Sequence, residues 1–376
     1  MPEIALPNHS RHSSSPESIS IIVPTYQEAA NIPELISRIE SVKNENSLDL
    51  ELLIMDDDSA DGTVEVVQNA NRDWVKLTVR TGDRGLSLAV LDGLHRATGD
   101  QLVVMDADLS HPPEKIPELL SALDNGFDFV IGSRYVAGGE TAEDWSLFRY
   151  LNSKVATLFA RPFTRARDPM SGFFAMTRAK FQGAQDLNPI GYKIGLELIV
   201  KADCKKIGEI PIYFANRKHG ESKLSFKEQL KYIQHIRRLF IYKFPNWSYI
   251  LQFLVVGASG TVVNLAVLTL LESGFGMPAR GAIAGGIIAS VISNFFLNRR
   301  FTFSYAKNES LIPQFLGFLA VSFLGIVVNY FVSVYTLEHV LPPSFKFSQI
   351  AAMIGIIAGL LINFLLNRFF VFKKKK

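Results

Sequence analysis

The 376-residue sequence holds one cysteine, Cys204. A single thiol forms no internal disulfide and builds no cysteine metal site, which suits a domain in a reducing compartment. The glycine fingerprints of two large enzyme classes are also missing. No G-x-G-x-x-G opens a helix after the first strand-like run, and no G-x-x-x-x-G-K-[ST] occurs, which argues against a dehydrogenase and a P-loop enzyme. The opening residues, MPEIALPNHSRHSSSPES, lack the apolar core of a signal peptide, and their polar composition predicts a disordered tail over 1–18. Net charge is only +3, so bulk charge gives no reason to expect a nucleic-acid partner. Residues 250–366 are mostly apolar, although charged residues crowd the first two thirds of the chain. That asymmetry predicts a water-soluble head, 19–222, on a membrane base.

Within the head, short apolar runs bounded by turn residues read as buried strands at 19–23, 51–55, 75–79, 101–105, 129–131 and 210–214. Helical patterns fill 31–43, 63–70, 86–97 and 114–123. Strand–helix alternation predicts an α/β fold, a Rossmann-like, mostly parallel sheet covered by helices. Ligands in such sheets bind beyond the carboxyl ends of the strands.

The residues that follow the strands are the chemically loaded ones. The second strand runs into Asp56-Asp57-Asp58-Ser59-Ala60-Asp61-Gly62-Thr63. Asp61 reads as a helix cap. The three carboxylates before it repel one another unless cations or hydrogen-bond donors sit among them. The fourth strand ends in Asp106-Ala107-Asp108. In extended chain, residues two apart project to one side, where two carboxylates can share a hard cation such as Mg2+ or Mn2+. His95 and His111 read as surface or capping residues, since neither belongs to a spaced ligand cluster.

Six stretches, I-I-V-P-T-Y-Q-E (21–28), D-D-D-S-A-D-G-T (56–63), M-D-A-D-L-S-H-P-P-E (105–114), I-G-S-R-Y (131–135), S-G-F-F (171–174) and R-K-H-G-E-S-K-L (217–224), occur in this order. In them the sequence resembles glycosyltransferase family 2, and within it the polyprenyl (dolichyl) phosphate mannose synthases. The resemblance implies a nucleotide-diphospho-sugar transferase fold of GT-A type. It implies a nucleotide-sugar donor, with GDP-mannose favoured, a polyprenyl phosphate acceptor, and a Mg2+ or Mn2+ cofactor. Pro24, Tyr26, Glu28, Met55 and Asp57 are expected to line the base and ribose pocket. Asp106, Ala107 and Asp108 are expected at the diphosphate and metal, Arg217 and Lys223 as clamps on the diphosphate, and Arg134 and Arg149 on the lipid phosphate. Asp108, Arg134 and Arg149 are the expected catalytic residues. Two positions depart from the family pattern. Ser110 stands where some relatives carry a metal-ligating Gln, and is expected to ligate directly or through water. Ser87 stands where glycine is usual, ahead of the third helix, so the backbone there is expected to approach the nucleotide less closely.

Residues 223–244, KLSFKEQLKYIQHIRRLFIYKF, space apolar side chains at three- and four-residue steps with lysines and arginines between them. The pattern predicts an amphipathic helix, assigned to 223–248, lying in the lipid interface. Trp247 and Tyr249 follow where aromatic belts sit. Four apolar stretches, 250–271, 281–297, 315–334 and 350–366, predict an all-α, four-span transmembrane domain over 249–376. Arg299, Arg300, Lys307, Arg368 and Lys373 to Lys376 fall on one side of it, which by the positive-inside rule puts the head and both termini in the cytoplasm. The sequence repeats within this region: Asn294-Phe295-Phe296-Leu297-Asn298-Arg299 matches Asn363-Phe364-Leu365-Leu366-Asn367-Arg368. The region resembles GtrA-like membrane domains. No Asp, Glu, Lys or Arg lies inside the four stretches, which favours an anchor or lipid guide over an ion-coupled pump. Two other readings stay open at this level: a UDP-glucose or other donor in the same enzyme class, and a lipid-linked sugar transport protein whose head only binds nucleotide-sugar.

Overall fold

The computed structural model describes residues 17–142, 147–216, 226–342 and 348–373. The chain divides into two compact units, Met1–Lys243 and Phe244–Lys376.

The first unit alternates strands and helices as the sequence pattern predicts. In order they are β1 (Ile19–Thr25), α1 (Ile32–Glu45), β2 (Leu50–Asp56), α2 (Thr63–Ala70), β3 (Val75–Val79), α3 (Leu86–Arg96), β4 (Gln101–Val104), α4 (Ile116–Asp124), β5 (Phe129–Ser133), β6 (Glu140–Thr141), α5 (Leu147–Ala160), β7 (Phe174–Thr177), α6 (Arg178–Gln182), α7 (Ile194–Lys201), β8 (Ile207–Pro211), β9 (Tyr213–Phe214) and α8 (Phe226–Lys243). Seven strands form one sheet in the order β3-β2-β1-β4-β7-β5-β8, and β6 pairs with β9 apart from it. β1 and β2 are buried along their whole lengths, as befits strands covered on both faces. Their side chains alternate between two cores. Ile21, Val23, Leu52 and Ile54 pack with Leu35, Ile39 and Leu119 on one face. Ile22, Leu53 and Met55 pack with Val90, Leu94 and Leu198 on the other.

The strand pattern predicted neither β6 nor β7, and its strand at 210–214 is divided between β8 and β9 in separate sheets; β7 matters most to the site. It runs antiparallel between β4 and β5, while β1/β2, β1/β4, β2/β3 and β5/β8 pair in parallel. Its reversed direction brings its leading residues, Ser171-Gly172-Phe173, to the carboxyl end of β4. The Ser171 hydroxyl donates to Gly132 O at 2.8 Å, and Gly132 N donates to Phe173 O at 2.8 Å, pinning that lead-in to β5.

α8 closes the head unit. Leu239 is buried with Ala160, Met170, Leu196 and Val200, and Tyr232 donates to Ala156 O at 2.7 Å. Glu197 of α7 and His235 of α8 are both fully buried, with Oε2 and Nε2 3.1 Å apart. Burial pushes the Glu197 carboxyl up, but His235, the Lys201 ammonium and the Asn188 amide outweigh it and hold the group below the ordinary carboxylate range. One face of the helix predicted to lie in the interface is therefore docked on the head, while Leu230, Ile233 and Tyr242 are exposed. On the neighbouring α5, Leu151, Val155, Leu158 and Phe159 recur at helical spacing and are all exposed.

The second unit holds α9 (Pro245–Thr269), α10 (Ala279–Leu297), α11 (Leu311–Tyr335) and α12 (Ser348–Leu366). Among the described residues three segments are long and apolar enough to cross a membrane: Pro245–Gly274, Leu311–Val340 and Ile354–Val371. α10 is the helix of the second predicted span. Both hairpins use the same packing device. A methyl at Gly260 would collide with Asn294 and one at Gly286 with Asn264; in the second hairpin Gly325 abuts Asn363 and Gly359 abuts Asn329. Small residues opposite amides let the helix backbones approach closely where expulsion of water is not available as a driving force. The repeated ends meet in an aromatic cluster in which Phe303 and Phe372 stack 4.8 Å apart. Arg299 donates to Gln314 Oε1 at 2.8 Å, and Arg368 donates to Asn246 Oδ1 at 2.7 Å, so each hairpin's terminal arginine reaches the other hairpin.

Candidate active site

Beyond the carboxyl ends of β1, β2 and β4 the chain turns sharply. Gln27, Asp58, Ala60 and Leu109 hold φ of 63°, 54°, 51° and 62°, a left-handed conformation that non-glycine residues adopt at a cost. Pro24 is buried within β1. Tyr26 follows, half-buried, with the Arg84 guanidinium 5.4 Å from its ring centre. Glu28 accepts from Asn31 Nδ2 at 2.6 Å. Met55 is wholly buried in the core between β2 and α3.

The repulsion expected among Asp56, Asp57 and Asp58 is relieved by donors from this chain. Asp56 accepts from Thr25 Oγ1 at 3.0 Å, Ser59 N at 2.9 Å and Ser59 Oγ at 2.5 Å. Asp57 pairs with Arg80 and accepts from Gly85 N at 2.7 Å. Asp58 pairs with Arg84 at 3.3 Å. Asp57 is thus a nearly buried carboxylate that fixes the Gly85 turn.

The D-x-D segment differs from the expectation of extended chain. β4 ends at Val104, and Asp106 to Ser110 lie in a turn that contains the left-handed Leu109. Asp108 is buried, and its Oδ1 accepts from both Ser110 N at 3.1 Å and Ser110 Oγ at 2.5 Å. Ser110 therefore holds the carboxylate. Ala107 is buried between the two acids. Asp106 is partly exposed and backs onto Gly172, where a methyl group would stand 3.2 Å from its Oδ2. A side chain at 172 would press on that carboxylate and displace it by a few tenths of an ångström.

His111 corrects the surface reading. It is buried, stacked on Phe173 with ring centres 5.4 Å apart and edge-on to Phe214 at 5.4 Å. Its Nδ1 accepts from Asp106 N at 3.1 Å. Burial lowers its pKa against the pull of Asp106 and Asp108, so the neutral ring props the acidic turn without neutralising it.

Two further residues that motif reading missed stand beside this turn. Asp168, wholly buried, takes Arg134 in a two-pronged pair, Nε–Oδ2 and Nη2–Oδ1 both at 2.7 Å, and also accepts from Arg134 N. The Arg134 guanidinium lies 5.2 Å from the Phe214 ring centre. Lys193 donates to Met170 O at 3.0 Å, and burial pushes its ammonium down to about 8. Asp168 sits three residues ahead of the S-G-F-F motif, and Lys193 directly precedes the apolar run of α7; those positions were their only signals in the sequence. The predicted Arg217 and Lys223 lie outside the described residues, as does the side chain of Arg149 on α5. Cys204 is buried, its thiol pushed up to about 12 by burial, which removes it as a nucleophile or metal ligand.

Among the described residues no group of three or more His, Cys, Asp or Glu side chains could by itself hold a metal ion. Asp106 and Asp108 fit a hard divalent cation of another kind, one held by one or two carboxylates and completed by substrate phosphates.

The head thus gathers acids and half-buried cations beyond its strand ends, and the second unit is helical and apolar. Residues 20–183 match the family model for Glycosyl transferase family 2, and residues 252–372 match GtrA/DPMS, transmembrane domain. The dolichol-phosphate mannosyltransferase of Pyrococcus furiosus is 39% identical over 358 residues, covering 93% of this chain and 98% of that protein. The dolichol-phosphate mannosyltransferase of Saccharomyces cerevisiae is 42% identical over 235 residues, covering 60% of this chain and 88% of its own. Mannosyl-3-phosphoglycerate synthase from Rubrobacter xylanophilus is similar in structure at 20% identity, covering 60% and 74%, with a TM-score of 0.48. The chain belongs to glycosyl transferase family 2, on its dolichol-phosphate mannosyltransferase branch: a membrane glycosyltransferase with a GT-A-type head.

Proposed function

We propose that the protein transfers mannose from GDP-mannose onto the phosphate of a polyprenyl phosphate at the cytoplasmic face of a membrane, with inversion at the anomeric carbon. The observation that carries this reading is the gathering at one sheet end of an acidic turn, Asp106 to Ser110, with two half-buried cations, Arg134 and Lys193. Acids suit a metal-bound diphosphate, and cations suit an acceptor that is itself an anion. The names of the relatives along nearly the whole chain point the same way.

In this reading an oxygen of the lipid phosphate attacks the anomeric carbon, a new C–O bond forms, and the bond to the donor diphosphate breaks, releasing GDP. The acceptor needs no general base, because a phosphate with a second pKa near about 6 is already ionised at neutral pH. Asp106 and Asp108 would hold Mg2+ or Mn2+, which when bound offsets charge on the departing diphosphate. Ser110 and His111 fix the two acids. Pro24, Tyr26, Glu28, Met55 and Asp57 border the nucleoside pocket. Arg217 and Lys223 clamp the diphosphate, and Arg134 and Arg149 receive the lipid phosphate. The exposed apolar stripe on α5 and the exposed face of α8 lie against the bilayer, with the basic ends of the membrane helices on the cytoplasmic side.

The deciding experiment incubates purified full-length protein with a polyprenyl phosphate, Mg2+ or Mn2+, and a panel of labelled nucleotide sugars. The expected result is an acid-labile mannosyl lipid of β configuration from GDP-mannose alone, abolished by chelation. Product from UDP-glucose instead would replace the donor. No lipid-linked product from any donor would overturn the enzymatic reading in favour of transport.

A further inference from the structure

Arg134 is not a loose cation awaiting an anion. Its Nε and Nη2 are both committed to Asp168, and the pair is almost wholly buried. Asp168 offsets part of that charge, so a phosphate received at Arg134 gains from a second cation beside it. Lys193 differs. Of its three ammonium donors one goes to Met170 O at 3.0 Å, and among the described residues no carboxylate forms an ion pair with it. It is nonetheless fixed in place. The Ser87 hydroxyl donates to Gly191 O at 2.6 Å, and Asn188 N donates to Glu197 Oε1 at 2.7 Å, so both flanks of the 188–193 loop are tied down. The charges of Arg134, Asp168 and Asp106 act directly on the ammonium. Met170, its acceptor, stands two residues before the Gly172 that backs Asp106.

A half-buried lysine with no counter-ion is unfavourable in a resting scaffold, where an apolar side chain would fill the volume at lower cost. We propose that Lys193 is an anion-binding residue of the transfer site, its ammonium meeting a phosphate oxygen of the donor diphosphate or of the lipid phosphate. This rests on the transferase reading above and adds a residue to it. Ser87 thereby gains a role: its hydroxyl positions the lysine loop through Gly191.

Lys193→Gln separates charge from scaffolding, because the amide can still donate to Met170 O. Steady-state kinetics on the purified full chain should show kcat/KM falling about tenfold or more, the size of a charged hydrogen bond, with Tm no lower than wild type. Lys193→Arg should recover most of the loss. A rise in KM for GDP-mannose would identify the donor diphosphate as the ligand, and a rise for the polyprenyl phosphate would identify the acceptor. A Gln variant with kcat and both KM values within about twofold of wild type would overturn the proposal. So would equal losses in the Gln and Arg variants accompanied by a lowered Tm. If wild type itself makes no lipid-linked sugar, the transferase reading fails first. The lysine is then tested by pyrophosphate: a thermal shift present in wild type and absent in Lys193→Gln supports the site, and a shift of equal size in both overturns it.

Discussion

The two ends of the head's sheet handle buried charge in opposite ways. At the amino end, Glu51 is bonded on every side: Ser20 Oγ at 2.6 Å, Thr98 N at 2.7 Å, Thr98 Oγ1 at 2.8 Å and Lys76 Nζ at 2.7 Å. Burial pushes its carboxyl up, but those donors outweigh it and bring the pKa down to about 2. The charged form belongs there. At the carboxyl end burial wins at two groups, lowering His111 and bringing Lys193 down to about 8, while Asp168 keeps Arg134 charged. One end is arranged for the resting fold; the other keeps cost in reserve for a ligand, the pattern of functional sites.

Substitutions at the two ends should therefore part company, and the largest effect belongs to the carboxyl end. Asp108→Ala should cut turnover by about a thousandfold or more while leaving the thermal midpoint near wild type, measured by product formation beside a melting curve. Equal turnover in the variant would remove Asp108 from the site. Asp168→Ala should abolish activity and also cost about 3–5 kcal/mol, because it strands Arg134 buried and unpaired. Chemical denaturation reads that second loss; an unchanged midpoint would contradict the pairing. Glu51→Gln should do the reverse, lowering stability by about 2–3 kcal/mol at neutral pH with kcat unchanged. Because the folded pKa of Glu51 lies below its unfolded value, its contribution is complete above about pH 4.5 and fades as pH falls toward about 2. The wild-type acid slope should flatten in the variant, and a parallel slope would refute the assignment. Gly172→Ala should be the mildest, slowing turnover about tenfold by crowding Asp106 with little change in stability.

The legible parts of the sequence were those governed by local pattern. β1 and β2 showed as apolar runs because both faces are buried, and α3 and α8 showed by helical spacing. β7 has four residues and follows directly on a turn motif, so length gave it no signal. What covers a helix was not readable either: the spacing of α8 marked an apolar face, but only the fold reveals Met170, Leu196 and Val200 beneath Leu239. At the site, the acids stood in motifs. Their supports did not, since Arg134 finds Asp168 34 residues away and His111 lies between Phe173 and Phe214. The letter H carries no information about such neighbours. The D-x-D geometry was misjudged for a related reason, as the strand stops two residues before the first acid.

The crossed arginines of the membrane unit have a further consequence. Each hairpin carries one guanidinium, Arg299 or Arg368, and one amide acceptor near the start of its leading helix, Asn246 or Gln314. Two separate latches therefore hold the hairpins to each other, and loss of either guanidinium leaves the other in place.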